Sequence, residues 1–324
     1  MILEGGKYIN EGYKGITMDV FSQNSKKDVE CNLYNYINYK KPSSLLLYGL
    51  HKQIRVYDYN EILELLYNKK EFIVKKFKRG NIFLGNDKRN FKNEFISIKK
   101  LAKIYNDKLN YYTTIKPIFK YHGVDIYALS FNHRFYIFQE RCYKTIDNIK
   151  FTQKEFNKFI NDIYESLLIL QKSKYIHNDI KADNIIYCNN KYKLIDWDLS
   201  GSIYNRFKSF ARGTGGNFMF NHPIKFYSLG LSLFIFKIFY YIFKSRDNKL
   251  YNWVYKLKSY KIMEAKSIAS ASLLINKNVN LHTLTKHYDM YSFALLIIYL
   301  AEKNNLKFSK PFVNNLIKPF LISI

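Results

Sequence analysis

His177-Asn178-Asp179-Ile180-Lys181-Ala182-Asp183-Asn184, followed beyond an apolar hairpin by Asp196-Trp197-Asp198, is the stretch on which the reading of this chain turns. An Asp, a Lys two positions on and an Asn three positions after that share one tight loop. A second acidic group, Asp196, follows a hairpin built from Ile185, Ile186 and Tyr187 and then Lys191 to Ile195. These residue types at this spacing suit transfer of a phosphoryl group from a nucleotide. That chemistry needs a carboxylate to orient the accepting hydroxyl, a cation on the moving phosphate and two oxygen ligands for magnesium.

The loop resembles the catalytic loop of protein kinases, and Asp196-Trp197-Asp198 resembles a variant of their Asp-Phe-Gly metal motif. The resemblance implies an α+β chain of two lobes, with a small antiparallel-sheet N-lobe over residues 1–141 and a mainly helical C-lobe over 142–324. It implies ATP and Mg²⁺ as cofactors. Asp179 would orient the acceptor hydroxyl, Lys181 would neutralise the transferring phosphate, and Asn184 and Asp196 would hold the metal. His177 reads as structural, its ring packed beside Trp197.

Upstream, Glu71-Phe72-Ile73-Val74-Lys75-Lys76-Phe77 reads as a buried strand ending in basic residues. Asn93 to Leu101 carries apolar residues at helical spacing, with Glu94 near its start. The resemblance assigns Lys75 as the lysine that holds the α- and β-phosphates and Glu94 as its partner. Alternation along the strand turns Lys76 to the other face. Ile9 to Thr17 resembles an eroded glycine-rich loop in which Gly12 and Gly15 remain while Asn10 replaces the first glycine. Glycines there let backbone amides approach phosphate oxygens. An insertion over about residues 22–70 separates that loop from Lys75; it contains the Leu45-Leu46-Leu47 run and a helical stretch from Asn60 to Tyr67. Phe135 to Cys142 reads as an apolar strand entering a connector. By resemblance Gln139 is its gatekeeper, and Glu140 C=O and Cys142 N–H bind adenine.

Beyond the metal motif, Gly213-Thr214 resembles the Gly-Thr of serine/threonine kinases. Tyr227-Ser228-Leu229-Gly230 resembles the start of the family's buried helix, but Lys225 stands where its Asp belongs. Asp289-Met290-Tyr291-Ser292-Phe293-Ala294, running into Leu295 to Leu300, supplies that Asp and is the preferred equivalent. This makes about residues 224–285 a second insertion. Phe226 to Phe243 is almost wholly apolar around a central Lys237 and reads as a core helix rather than a membrane span. Two departures from the pattern carry expectations. Asn178 stands where the family usually has Arg, and Asn has no charge to meet a phosphate, so activity should not require phosphorylation between Leu199 and Pro223. Asp198 replaces a glycine, and its Cβ narrows the backbone choices of the metal turn.

Composition fits one two-lobed enzyme. Cys31, Cys142 and Cys188 lack metal-ligand spacing and are too few for a disulfide framework, and Cys142 reads as a small connector residue. The opening residues carry neither the basic region nor the apolar run of a signal peptide, so the expectation is an unsecreted protein, cytoplasmic or inside a host cell. The net charge of +26 would draw acidic protein substrates or nucleic acid, although abundant Lys, Asn, Ile, Tyr and Phe also fit AT-rich codon usage. That composition, with the unusual insertions, is similar to the divergent kinases of large DNA viruses, including those carried in virions. The function implied is ATP-dependent phosphorylation of Ser/Thr hydroxyls on proteins. Two other readings stay open: a small-molecule phosphotransferase of the aminoglycoside or choline kinase type, and a pseudokinase serving as a basic binding scaffold.

Overall fold

Every second residue of the strand Phe72–Phe77 faces the same way, and the sheet around it has an apolar layer on each side. The computed structural model describes residues 8–11, 15–19, 33–67, 69–77, 87–142, 144–203, 220, 274 and 284–320. The chain divides into two compact units, Met1–Tyr143 and Lys144–Ile324.

In the first unit, β1 (Tyr8–Glu11) and β2 (Gly15–Asp19) form a hairpin. Helix α1 (Leu33–Lys40) precedes a second hairpin, β3 (Leu45–Tyr48) and β4 (Gln53–Val56), and helix α2 (Asn60–Leu66) follows. Next come β5 (Phe72–Phe77), the long helix α3 (Asp87–Tyr105) and the short α4 (Leu109–Tyr112). A small separate hairpin of β6 (Phe119–Tyr121) and β7 (Val124–Ile126) leads to β8 (Ala128–Phe131) and β9 (Arg134–Glu140). Seven strands form one antiparallel sheet in the order β1-β2-β5-β9-β8-β3-β4. The segment expected as an insertion thus contributes two strands at one edge and two helices.

Strand alternation sorts the side chains of this sheet into two layers. On one face Phe77 and Phe135 meet Phe91 of α3 at ring separations of 5.8 and 4.8 Å, and Tyr48 meets Phe91 at 5.0 Å. On the other, Phe72, Val74, Leu45, Leu47, Tyr136 and Phe138 form one buried cluster with Leu33, Tyr36 and Ile37 of α1 and Ile62, Leu63 and Leu66 of α2. Each fully buried side chain of this size contributes about 1.5–3 kcal/mol. Helix α3 begins at Asp87. Its first turns are polar (Asp87, Lys88, Arg89, Asn90), which hides them from apolar periodicity, so Glu94 lies within the helix rather than near its start.

The second unit opens with β10 (Lys144–Thr145) and α5 (Gln153–Lys172). Thr152 caps α5, accepting from the Glu155 N–H, while Glu155 in turn accepts from the Thr152 N–H at 2.9 Å. Phe156, Phe159, Ile163, Leu167 and Leu170 recur at helical spacing and are buried. Strand β11 (Tyr175–Ile176) follows, then the hairpin β12 (Ile185–Cys188) and β13 (Lys191–Leu194), which β10 joins as a third strand. Strand β14 (Gly201–Ser202) pairs with β11. Helix α6 (Tyr288–Asn304) is buried at every position from Tyr288 to Ala301, the mark of a helix that is apolar on all sides. Asn305 ends it at φ 54°, and α7 (Lys310–Ile317) packs after it.

The architecture is therefore a mixed α+β one, with antiparallel strands and helices. Among the described residues no helix is long and apolar enough to cross a membrane. Gly12, Cys31, Gly213-Thr214, Lys225 to Gly230, the Phe226 to Phe243 run and almost all of 224–285 lie outside the described residues.

Candidate functional site

The loop 177–184 runs from the end of β11 to the start of β12, and helix α6 anchors it from behind. Both carboxylate oxygens of buried Asp289 accept from its backbone: His177 N–H at 2.6 Å and Asn178 N–H at 2.8 Å. A carboxylate taking two N–H donors is a charge-assisted pair of bonds that fixes position as well as energy. Asn178 adopts φ 73°, a left-handed conformation that Asn tolerates better than most residues. Its side-chain amide reaches Leu199 O at 3.3 Å, joining the loop to the segment after Asp196-Trp197-Asp198.

His177 is fully buried and fixed by two ring contacts. Nε2 faces Ile195 O at 2.9 Å and Nδ1 faces the Asp179 N–H at 3.3 Å. A carbonyl only accepts and an N–H only donates, so the ring is the neutral Nε2–H tautomer. The indole of Trp197 covers it at 4.5 Å. Both ring nitrogens of the imidazole are thereby taken up by contacts within the loop and with Ile195.

Asp179 is only 5% exposed. Its carboxylate meets Lys181 Nζ at 3.1 Å and the Asn184 side-chain amide at 2.8 Å. The same amide nitrogen donates to Asp179 O at 2.9 Å. Because a backbone carbonyl can only accept, that geometry fixes the amide orientation and turns Asn184 Oδ1, an acceptor, away from Asp179. The segment after β13 is tied in by Ile195 N–H to Asn184 O at 3.0 Å, so Asp196 directly follows the residue bonded to Asn184. Asp196 is partly exposed and holds φ 64°. Two oxygen-bearing side chains at neighbouring backbone positions fit a hard divalent cation better than a soft one.

In the first unit Lys75 Nζ and Glu94 Oε2 form an ion pair of 2.9 Å, with Glu94 1% exposed. Lys76 projects to the opposite face, its ammonium over the Tyr36 ring. Gly15 lies in β2, with Thr17 opposite Lys75 across the ladder. Glu140 ends β9 with its N–H donating to Thr114 O at 2.7 Å and its carboxylate 3.5 Å from Lys116. Gln139 is buried beside it, Arg141 N–H donates to Glu71 O, and Cys142 follows, half-buried.

Lys116 and Asp162 escaped the sequence reading. Asp162, on the buried face of α5, accepts from Tyr192 N–H at 3.0 Å and faces Lys158 at 3.0 Å and buried Lys191 at 3.4 Å. The i,i+4 spacing of Lys158 and Asp162 signals a helical pair, but nothing local links either to Lys191. No protein-family model matches this chain, and comparison with curated proteins gives no match.

Proposed function

We propose that the chain is an ATP-dependent protein kinase that phosphorylates Ser/Thr hydroxyls, with Mg²⁺ as its cofactor. The surroundings of Asp179 carry this reading: a buried carboxylate held between an ammonium and an amide on one loop that α6 fixes from behind. Such a carboxylate orients an acceptor hydroxyl and takes its proton as the new O–P bond to the γ-phosphorus forms and the bond to the departing ADP breaks. Lys181 neutralises charge on the transferring phosphoryl oxygens. Asn184 and Asp196 would hold Mg²⁺, which supplies charge neutralisation on the nucleotide phosphates when bound.

In this reading Lys75, fixed by Glu94, binds the α- and β-phosphates, and Gly12 and Gly15 let the backbone approach them. Glu140 C=O and Cys142 N–H take the adenine. The excess of 52 Lys and Arg over 26 Asp and Glu favours acidic protein substrates and an intracellular setting rich in polyanions. Asp198, half-buried two residues beyond Asp196, favours the small-molecule phosphotransferase as the second reading, since it adds a carboxylate to the same turn.

Labelled ATP and Mg²⁺ offered with casein, with a basic protein, and with an aminoglycoside or choline separates the two. Labelling of protein by wild type and not by Asp179→Asn supports the kinase. Labelling of the small acceptor alone assigns the second reading, and labelling of neither rejects both.

A further inference from the structure

Helix α1 and the hairpin β3–β4 have no counterpart in the chemistry above, yet they are built into the sheet that carries Lys75. Strand β5 points Lys75 to the α3 face and Lys76 to the α1 face. Tyr36 of α1, 7% exposed, receives two cations on its ring: Lys76 Nζ at 5.5 Å and the Arg134 guanidinium at 5.4 Å. Lys76 belongs to β5 and Arg134 to β9, the strand that pairs with β5 and places Ile137 opposite Lys75. Phe131 meets Tyr36 at 5.6 Å and stacks on Tyr136 at 5.3 Å, extending the contact to β8. One aromatic ring of the inserted helix therefore touches three consecutive strands of the sheet.

We propose that the inserted segment 33–66 is a built-in brace for the Lys75 strand, with Tyr36 as a positioning residue. A cation beside a largely desolvated ring is held more tightly than one in water. Lys76 cannot move along or away from α1 without losing this contact, and Lys75 shares its backbone. The brace thus limits the positions of Lys75 from the face opposite Glu94, so that Lys75 is set from both sides before any ligand binds. Binding costs less when the group that receives the ligand is already ordered. The functional consequence rests on the phosphotransferase reading; the brace itself does not.

The experiment uses the full chain, with Tyr36→Leu to remove the ring and Tyr36→Phe to keep it. Hydrogen exchange of the 72–77 amides is read without nucleotide, and Mg·ATP affinity is read separately. The brace predicts faster exchange at 72–77 in Tyr36→Leu, with exchange at 185–194 unchanged and Mg·ATP affinity weakened about tenfold. Tyr36→Phe should match wild type in both, and KM for ATP should rise in Tyr36→Leu while kcat holds. Unchanged exchange at 72–77 in Tyr36→Leu overturns the brace. Equal loosening by both variants overturns it too, because Tyr36→Phe keeps the ring and the effect would then come from the lost hydroxyl. If wild type itself binds no Mg·ATP, the proposed function fails and the exchange data alone decide the brace.

Discussion

Lys75 and Glu94 set an ammonium against a carboxylate that is almost wholly out of water. Removing one partner of such a pair strands the other charge, whereas removing both restores neutrality. Lys75→Met should therefore cost about 3–5 kcal/mol of first-unit stability, and Lys75→Met/Glu94→Leu should recover most of it. Denaturant unfolding of the variants checks this, and a single variant as stable as wild type contradicts it. Asn178 makes a different prediction. Its amide joins the loop to Leu199 O without any charge, so phosphatase treatment should leave activity unchanged. An obligate phosphosite between Leu199 and Pro223 would refute that. Lys75 and Lys76 could be told apart in the sequence because side-chain direction in a strand has a strict period of two. Tyr36 could not be found that way, since its contacts with Lys76 and Arg134 lie far along the chain and no local pattern encodes them.

Helix α6 joins packing to chemistry. Its buried faces explain why Leu295 to Leu300 read as core in the sequence, and its Asp289 holds two loop N–H groups. Asp289→Ala would leave both donors buried without an acceptor, a loss of about 3 kcal/mol. Unfolding should register that loss, and phosphate transfer should fall further than stability does, because the Asp179 loop loses its anchor. At the start of this helix His287 accepts from the Gln171 amide at 3.3 Å. Burial, and then Lys286, lower its pKa. The unfolded chain therefore binds the proton more readily, so this stability is fully present above the ordinary histidine value of about 6.5 and is lost as pH falls below it, through the lowered folded value. His287→Gln should flatten the acid limb of the pH–stability curve, and an unaltered limb would count against this assignment. The hairpin β12–β13 was legible from its apolar residues, but its buried Lys191 and Lys193 were not. Lys191 is offset by Asp162 and by Glu165 on a helix distant in sequence, so its burial depends on tertiary pairing.

The whole chain is strongly basic, with 52 Lys and Arg against 26 Asp and Glu. The mixed α+β class was expected from the resemblance that residues 177–198 carry, with the strand pattern at 71–77 and the helical spacing at 93–101 beside it. The architecture of 33–66 was harder, because short apolar runs such as Leu45 to Leu47 do not say which sheet they will join. Only the register of β3 against β8 places them. The proposed roles of the loop residues come from residue types and spacing, so the most direct test holds the fold fixed and removes the proposed base. Asp179→Asn preserves shape and lacks the charge. Mg²⁺-dependent transfer of labelled phosphate from ATP to casein should be present in wild type and reduced by at least about a hundredfold in Asp179→Asn, with nucleotide still bound. Transfer by Asp179→Asn at the wild-type rate, or no transfer by a wild-type chain that is folded and supplied with Mg·ATP, would contradict the account.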